Sequence, residues 1–141
     1  YIVFGGTGFA FFGALHYWYP KMFAKMYNIR VANIGLLIFF IGFNLLYFPM
    51  FYLGLMGMPR RYYDYIPMFE PANLLSTIGS WIMAIGLTVI LVNLSRARKM
   101  TGKAVDDPWD GNTLEWQIQS PPTVENFEEI PTVTTGPYDY K

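Results

Sequence analysis

Three long, uncharged apolar runs constrain this chain more than any other feature. They cover residues 1–19, 31–56 and 72–94. A helix needs roughly 20 predominantly apolar residues to cross the hydrocarbon core of a bilayer. The chain is therefore predicted to be an all-α membrane protein, with a three-span transmembrane segment over residues 1–94 and an extended, irregular tail over 95–141.

Prolines and polar residues refine the predicted spans. Pro20 is expected to end the first helix, because its ring and missing N–H disfavour continuation. Pro49 is expected to kink the second helix near its end. Asn44 lies in the middle of the second run, so its amide is expected to face protein rather than lipid.

The connector and the tail are both predicted to lie outside the bilayer. The connector over 21–30 is expected to be solvated, with its lysine heads reaching water. The tail is rich in proline and acid and cannot bury a core of its own. Its large apolar residues favour an extended strap on a partner surface: Trp109, Leu114, Trp116, Ile118, Phe127 and Ile130.

Charge sets the expected orientation and isolates one loop. Three basic residues lie in 21–30 and four in 95–103, which places both segments on the cytoplasmic or matrix side. The loop over 57–71 then faces the opposite side, yet it carries Arg60 and Arg61 against that bias. Two interpretations are open: an anion-binding pair suited to carboxylates or phosphates, or charges that pair with Asp64, Glu70 or lipid phosphates.

Other polar residues allow two interpretations each. His16 fits an interfacial hydrogen bond better than a metal ligand. The hydroxyls of Ser76, Thr77 and Ser80 favour close helix contact, and a cofactor-facing role is the alternative. The tyrosines of the loop fit interfacial anchoring better than electron or proton relay. They are Tyr62, Tyr63 and Tyr65.

Composition excludes several kinds of site. The chain has no cysteine and one histidine, so neither a disulfide framework nor a multi-histidine metal centre forms within it. Its ten basic and ten acidic residues cancel, which points to no nucleic-acid partner. We find no catalytic constellation and no metal-ligand set in this chain.

Several stretches resemble the C-terminal portion of cytochrome c oxidase subunit I, the catalytic subunit of haem–copper oxidases. The most specific are FPMFYLGLMGMPRRYYDY and TLEWQIQSPP, supported by HYWYPKMFAKMYN and NLLSTIGSW. The resemblance implies the last three of roughly twelve membrane spans. It also implies that the haem and copper ligands belong to an N-terminal portion, with a His-Phe-His triplet directly before the position of Tyr1.

The resemblance implies roles for four residues. Arg60 and Arg61 match the arginines that hold the haem propionates, and Ser76 and Ser80 match positions near the low-spin haem. The expected cofactors are haem, of the A type, and copper that this chain does not ligate. Two departures put local polar contacts in doubt: Phe51 stands where many members have histidine, and Phe4 where some have serine.

The resemblance further implies a function in a complex. The complete enzyme would reduce oxygen to water with electrons from cytochrome c and pump protons. Its implied partners are the N-terminal portion of subunit I, subunits II and III, cytochrome c and membrane lipid. The expected location is the bacterial inner membrane, ahead of the mitochondrial one. A quinol-oxidising member and a non-catalytic small membrane subunit remain alternatives.

Overall fold

The computed structural model describes residues 1–61, 63–127, 131–133 and 136, and the chain in these ranges is all-helical, without strands. The predictions made for Tyr62 and Ile130 lie outside the described residues. The elements, in chain order, are a π-helix Ile2–Gly8, α1 Phe9–Phe23, α2 Ile29–Leu55, a 3₁₀ turn Pro67–Phe69, α3 Glu70–Lys99 and a 3₁₀ turn Leu114–Trp116.

Two helical stretches of the described chain are long and apolar enough to cross a membrane. They are Ile29–Leu55 and Pro67–Lys99, which contain the second and third predicted spans almost completely. The first predicted span falls on the π-helix and α1. Its crossing of the membrane stays a prediction.

Helices α2 and α3 run antiparallel and pack at backbone distance. A Cβ atom at Gly42 would overlap the backbone of Met83, and one at Gly79 would overlap the backbone of Leu46. Small residues at such positions allow close helix approach, as in membrane bundles. The hydroxyl of Ser76 closes one end of this contact by donating to the carbonyl of Leu46 at 2.7 Å.

Polar groups fix the other end of the helix pair. The Asn93 amide donates to Asn28 O at 2.9 Å, and Asn28 N donates back to Asn93 Oδ1 at 3.3 Å. The Asn28 side chain also caps α2 by accepting from Val31 N at 3.1 Å. This reciprocal pair fixes the register in which α2 starts beside the end of α3.

Asn44 has partners for both ends of its amide. Its Nδ2 donates to Phe40 O at 2.9 Å, and its Oδ1 accepts from the Tyr1 hydroxyl at 2.7 Å. A partly buried amide with satisfied polar atoms is what a mid-membrane position requires. This agrees with the prediction that Asn44 faces protein.

Two predicted helix ends are wrong. Pro20 does not end α1: it lies inside the last turn and is buried, and the helix ends three residues later before Ala24, whose φ is 49°. The segment after Leu94 does not start the tail, because α3 continues to Lys99. Basic residues in a last turn interact favourably with the helix dipole, which explains this extension.

The predicted partner-bound strap is also wrong for the first part of the tail. Residues around 104–120 fold back onto the end of α1 in the same chain. Trp116, 2% exposed, is buried there rather than left for a partner. The backbone joins as well, because Ala104 N donates to Ala24 O at 2.8 Å.

Candidate functional site

The arginine loop, residues 56–66, begins where α2 ends. Gly57 has a φ of 83°, in the left-handed region that glycine adopts without strain. Met58 N then donates to Leu53 O at 3.0 Å, which satisfies a terminal helix carbonyl. This glycine-based ending turns the chain away from the helix axis just before the two arginines.

The loop is tied to the start of α3 through one asparagine. Asn73 Nδ2 donates to Phe69 O at 2.9 Å and lies 3.6 Å from the sulfur of Met58. An open depression of about 630 Å³ lies beside this contact, with Pro59 and Tyr65 among its lining residues. The start of the loop therefore lies against the first turn of α3.

Arg60 and Arg61 are both exposed. Arg61 has a φ of 61°, an uncommon conformation for a residue with a side chain. Within the described ranges, neither arginine forms an ion pair with Asp64 or Glu70. Instead, Asp64 Oδ1 accepts from Tyr65 N at 2.8 Å. The two guanidinium groups are thus available to an external anion.

The two serines lie elsewhere. Ser76 is 2% exposed between α2 and α3, and its hydroxyl hydrogen is used by Leu46 O. Ser80 donates to Thr77 O at 2.6 Å. The Ser76 bond fits helix contact, the Ser80 bond stays within α3, and neither serine lines the depression beside the arginine loop.

His16 is held by its own helix. Its Nδ1 lies 2.7 Å from Phe12 O, and since a carbonyl only accepts, Nδ1 carries the hydrogen. Its ring stands edge-on to Tyr27 at 4.9 Å. The part of the chain that the structure describes contains no cluster of three or more histidine or acidic residues able to hold a metal.

A second polar centre, on Lys21, was missed by sequence reasoning. Lys21 was expected to be solvated, but it is 5% exposed. Its ammonium donates to Asp106 O at 2.9 Å and to Ile118 O at 2.7 Å. It also lies 5.1 Å from the centre of the Trp116 ring. A buried lysine therefore holds two separate points of the tail.

Tyr17 holds the same part of the tail through two tryptophans. Trp109 Nε1 donates to Tyr17 O at 2.9 Å, and Trp116 Nε1 donates to the Tyr17 hydroxyl at 2.7 Å. We call residues 104–120, with these contacts, the docked segment. The sequence offered one signal for this contact. Aromatic residues are concentrated at both Tyr17–Tyr19 and 109–116, and the two groups pack against each other.

Contacts of the docked segment shift the pKa values of Lys21 and Asp106. Burial lowers the pKa of the Lys21 ammonium, and the carboxylates of Asp106 and Asp107 oppose this. The pKa of Asp106 is lowered, first by the hydrogen bond from Ser120 N at 2.7 Å and then by Lys103. The Lys103–Asp106 ion pair measures 3.3 Å.

Comparison with known proteins gives one family. The model of the family described as cytochrome c and quinol oxidase polypeptide I matches residues 1–82. Cytochrome c oxidase subunit 1 of Thermostichus vulcanus is 42% identical and that of a Synechocystis strain 44%, each over 140 residues, or 99% of this chain. Quinol oxidase subunit 1 of Bacillus subtilis is 39% identical over 138 residues, which is 94% of this chain and 21% of that protein.

These relatives are much longer than this chain. The chain spans 25% of the length of each of the two cytochrome c oxidase subunits. The matched region includes the arginine loop and the start of α3, where the most specific motif lies. The chain belongs to the cytochrome c and quinol oxidase polypeptide I family.

Proposed function

We propose that this chain supplies the last three membrane spans of the catalytic subunit of a respiratory terminal oxidase. The complete enzyme reduces oxygen to water with electrons from cytochrome c and pumps protons. Family membership carries this proposal, together with identities of 42–44% to cytochrome c oxidase subunits 1 over nearly the whole chain. The spans are those over 1–19, 31–56 and 72–94.

The contacts of the basic connector support the proposed orientation. Lys25 donates to Gly102 O at 2.7 Å, and Ala104 N donates to Ala24 O. Both contacts join the connector to the chain after α3, so these basic segments share one end. The arginine loop, joining the far ends of α2 and α3, lies at the other, outward-facing end.

Arg60 and Arg61 are the residues that we propose to hold the haem propionates. The observation that supports this is that both are exposed and, within the described residues, paired with neither Asp64 nor Glu70. A guanidinium fork matches a carboxylate with two parallel hydrogen bonds. The pair would orient the propionates, keep them ionised and raise the electrostatic potential around the site.

Haem, of the A type, would supply electron transfer and oxygen chemistry when bound. The described residues fit its carboxylates and offer no metal-holding cluster for its iron. In line with the family resemblance, the iron and copper ligands are proposed to belong to the N-terminal portion of subunit I. Ser76 and Ser80 are proposed as packing positions on α3 near the haem.

The proposed setting is an integral membrane complex. Subunits II and III and the N-terminal portion of subunit I are the proposed partners, in a bacterial inner membrane. The inner-face region over 95–141 would lie on the cytoplasmic side. The docked segment, residues 104–120, lies on α1, which leaves its outer surface for neighbouring subunits.

The identity of the electron donor is tested by assaying oxygen consumption with two different donors. A quinol-oxidising function is the second candidate, because a quinol oxidase subunit 1 is 39% identical to this chain. The purified complex, containing this chain and its partner subunits, should consume oxygen with reduced cytochrome c. Turnover with a ubiquinol or menaquinol analogue but not with cytochrome c would establish the second candidate instead.

The propionate role is tested by replacing both arginines. Arg60→Gln with Arg61→Gln removes two positive charges beside a haem edge. Since positive charge disfavours the oxidised haem, its midpoint potential should fall by on the order of 100 mV, because each of two charges roughly 10 Å away contributes about 1.7 kcal/mol at an effective dielectric constant near 20. Spectroelectrochemical titration of the complex measures this shift.

Arg30→Gln is the control for that experiment. Arg30 is also exposed, but it lies at the opposite end of α2. Its replacement should leave the haem potential unchanged. An unchanged potential in the double variant, in a complex that retains its haem, would reject the propionate assignment.

A further inference from the structure

A groove runs between α2 and α3 at the end that carries the basic connector. Its volume is about 390 Å³. Its wall includes Val31, Val89 and Val92, and Arg96 and Met100 also line it. The groove therefore combines an apolar wall with a guanidinium group.

Apart from Arg96, the polar residues in the wall form hydrogen bonds within the chain. Asn93 and Asn28 bond to each other, and Thr88 Oγ1 donates to Ala84 O at 2.8 Å. The wall thus presents hydrocarbon and satisfied amides to an occupant. Such a surface favours an acyl chain over a polar solute.

Arg96 differs from four other basic residues at this end of the molecule. Lys21 and Lys25 donate to backbone carbonyls, Lys103 pairs with Asp106, and Arg98 lies 5.0 Å from the centre of the Phe23 ring. Arg96 is exposed, and in the part of the chain that the structure describes it makes no ion pair.

The depth of the groove matches a lipid. The apolar run of α3 ends at Leu94, so Arg96 lies just past it, at the level of headgroups. Val89 lies seven residues nearer the middle, or about 10 Å at 1.5 Å per residue. A phospholipid whose phosphate lies at Arg96 would therefore have its acyl chains beside Val89 and Val92.

We propose that this groove binds one anionic phospholipid, with its phosphate on Arg96 and an acyl chain against Val89 and Val92. The inference rests on the proposed membrane orientation. A net negative headgroup is favoured over a zwitterionic one, because other charges on the adjoining ends of α2 and α3 are basic, among them Arg30 and Arg98. Charge-assisted hydrogen bonds to the guanidinium group add orientation to this attraction.

The test is lipid binding by the purified oxidase complex. After delipidation in detergent, phosphatidylglycerol is titrated and bound lipid is counted by native mass spectrometry. Arg96→Gln should weaken retention of one phosphatidylglycerol about tenfold or more, the loss of a charge-assisted hydrogen bond. Lys99→Gln, which removes an exposed charge three residues away, should leave that site unchanged.

A second variant tests the acyl chain. Val89→Trp fills the groove without altering charge and should cause a similar loss. If a variant fails to assemble, photoreactive phosphatidylglycerol in wild-type membranes should crosslink to the stretch 88–100. Labelling of that stretch by phosphatidylcholine to the same extent, or no labelling there, would overturn the proposal.

Three outcomes of the titration also reject the site. They are equal retention by Arg96→Gln and Lys99→Gln, equal binding of phosphatidylcholine, and displacement of the lipid by millimolar inorganic phosphate. The haem spectrum and oxygen consumption are measured on the same samples. A complex that turns over normally but binds no phosphatidylglycerol at Arg96 rejects this inference alone. A complex that lacks haem rejects the proposed function.

Discussion

Lys21 shows how one residue decides the course of the tail. An ammonium group is costly to bury unless its donors are used. Here two backbone carbonyls and the face of Trp116 surround it, and all belong to the tail. The lysine therefore stays buried only while the docked segment is in place.

Replacing Lys21 should release the docked segment. Lys21→Met keeps the length of the side chain but removes the ammonium donor from Ile118 O and leaves Asp106 O with only the long 3.5 Å bond from Ser120 Oγ. Leaving such groups unsatisfied costs about 1–3 kcal/mol. We expect the free energy of local opening of residues 104–120 to fall by about 2 kcal/mol, measured by hydrogen exchange in the assembled complex.

Lys25→Met is the matched control for that change. Lys25 is less buried, and its ammonium donates to Gly102 O at 2.7 Å. Its loss should change exchange in the docked segment much less. Equal effects of the two substitutions would contradict the special role of Lys21.

The helix pair α2–α3 was predictable because two signals agree there. Apolar runs of membrane length and flanking charges predict both helices, and the hydroxyls of Ser76, Thr77 and Ser80 predict close contact. A prolonged α3 was not predicted, because the same basic residues that mark a membrane boundary also suit a helix C-terminus. Hydropathy thus locates the span but not the end of the helix.

The site was predictable to a different degree. Arg60 and Arg61 stand out by their position in a loop that should be poor in basic charge. Their exposure and the left-handed backbone of Arg61 depend on tertiary structure and have no local signal. Lys21 was missed because its partners, Asp106 and Ile118, are 85 and 97 residues away in sequence.

Gly42 should be essential for the helix pair. Gly42→Ala places a Cβ atom into the backbone of Met83, and backbone atoms cannot yield without separating the helices. We expect a loss of at least 1–3 kcal/mol, the usual scale of overpacking. Thermal denaturation of the complex, followed by retention of haem, measures it.

The same helix offers a control for the glycine prediction. Gly54 lies in α2, and a Cβ atom there would meet nothing within 4 Å. Gly54→Ala should be neutral or slightly stabilising, since alanine favours a helix by about 1 kcal/mol over glycine. A similar loss in both variants would refute close packing as the cause.

The two ends of the molecule differ in how they use charge. At the arginine loop, two guanidinium groups stand exposed on a loop held by Gly57 and Asn73. At the opposite end, the lysines of the connector donate hydrogen bonds to backbone carbonyls of the tail. The first end is suited to an external anion, and the second is closed by the chain itself.

The closed end should loosen in acid. The pKa of Asp106 is lowered in the folded chain, first by Ser120 N–H and then by Lys103. A depressed carboxyl pKa contributes stability that is complete above the unfolded value, about 3.9, and is lost as pH falls through the lower folded value. The docked segment should therefore be insensitive to pH between about 5 and 7 and open more easily below about 4.

Hydrogen exchange at Ser120 N–H, corrected for the intrinsic rate at each pH, follows this opening directly. Asp106→Asn removes the ionisable group but keeps an oxygen that accepts from Ser120. The variant should be less protected than wild type at pH 7, because it has lost the charge that strengthens the bond from Ser120 and the pairing with Lys103. It should also lack the acid-dependent step. If wild type and variant lose protection in parallel below pH 4, another carboxyl group controls the opening, and Asp107 is the next to replace, since it accepts from the backbone of Gly111 at 2.9 Å.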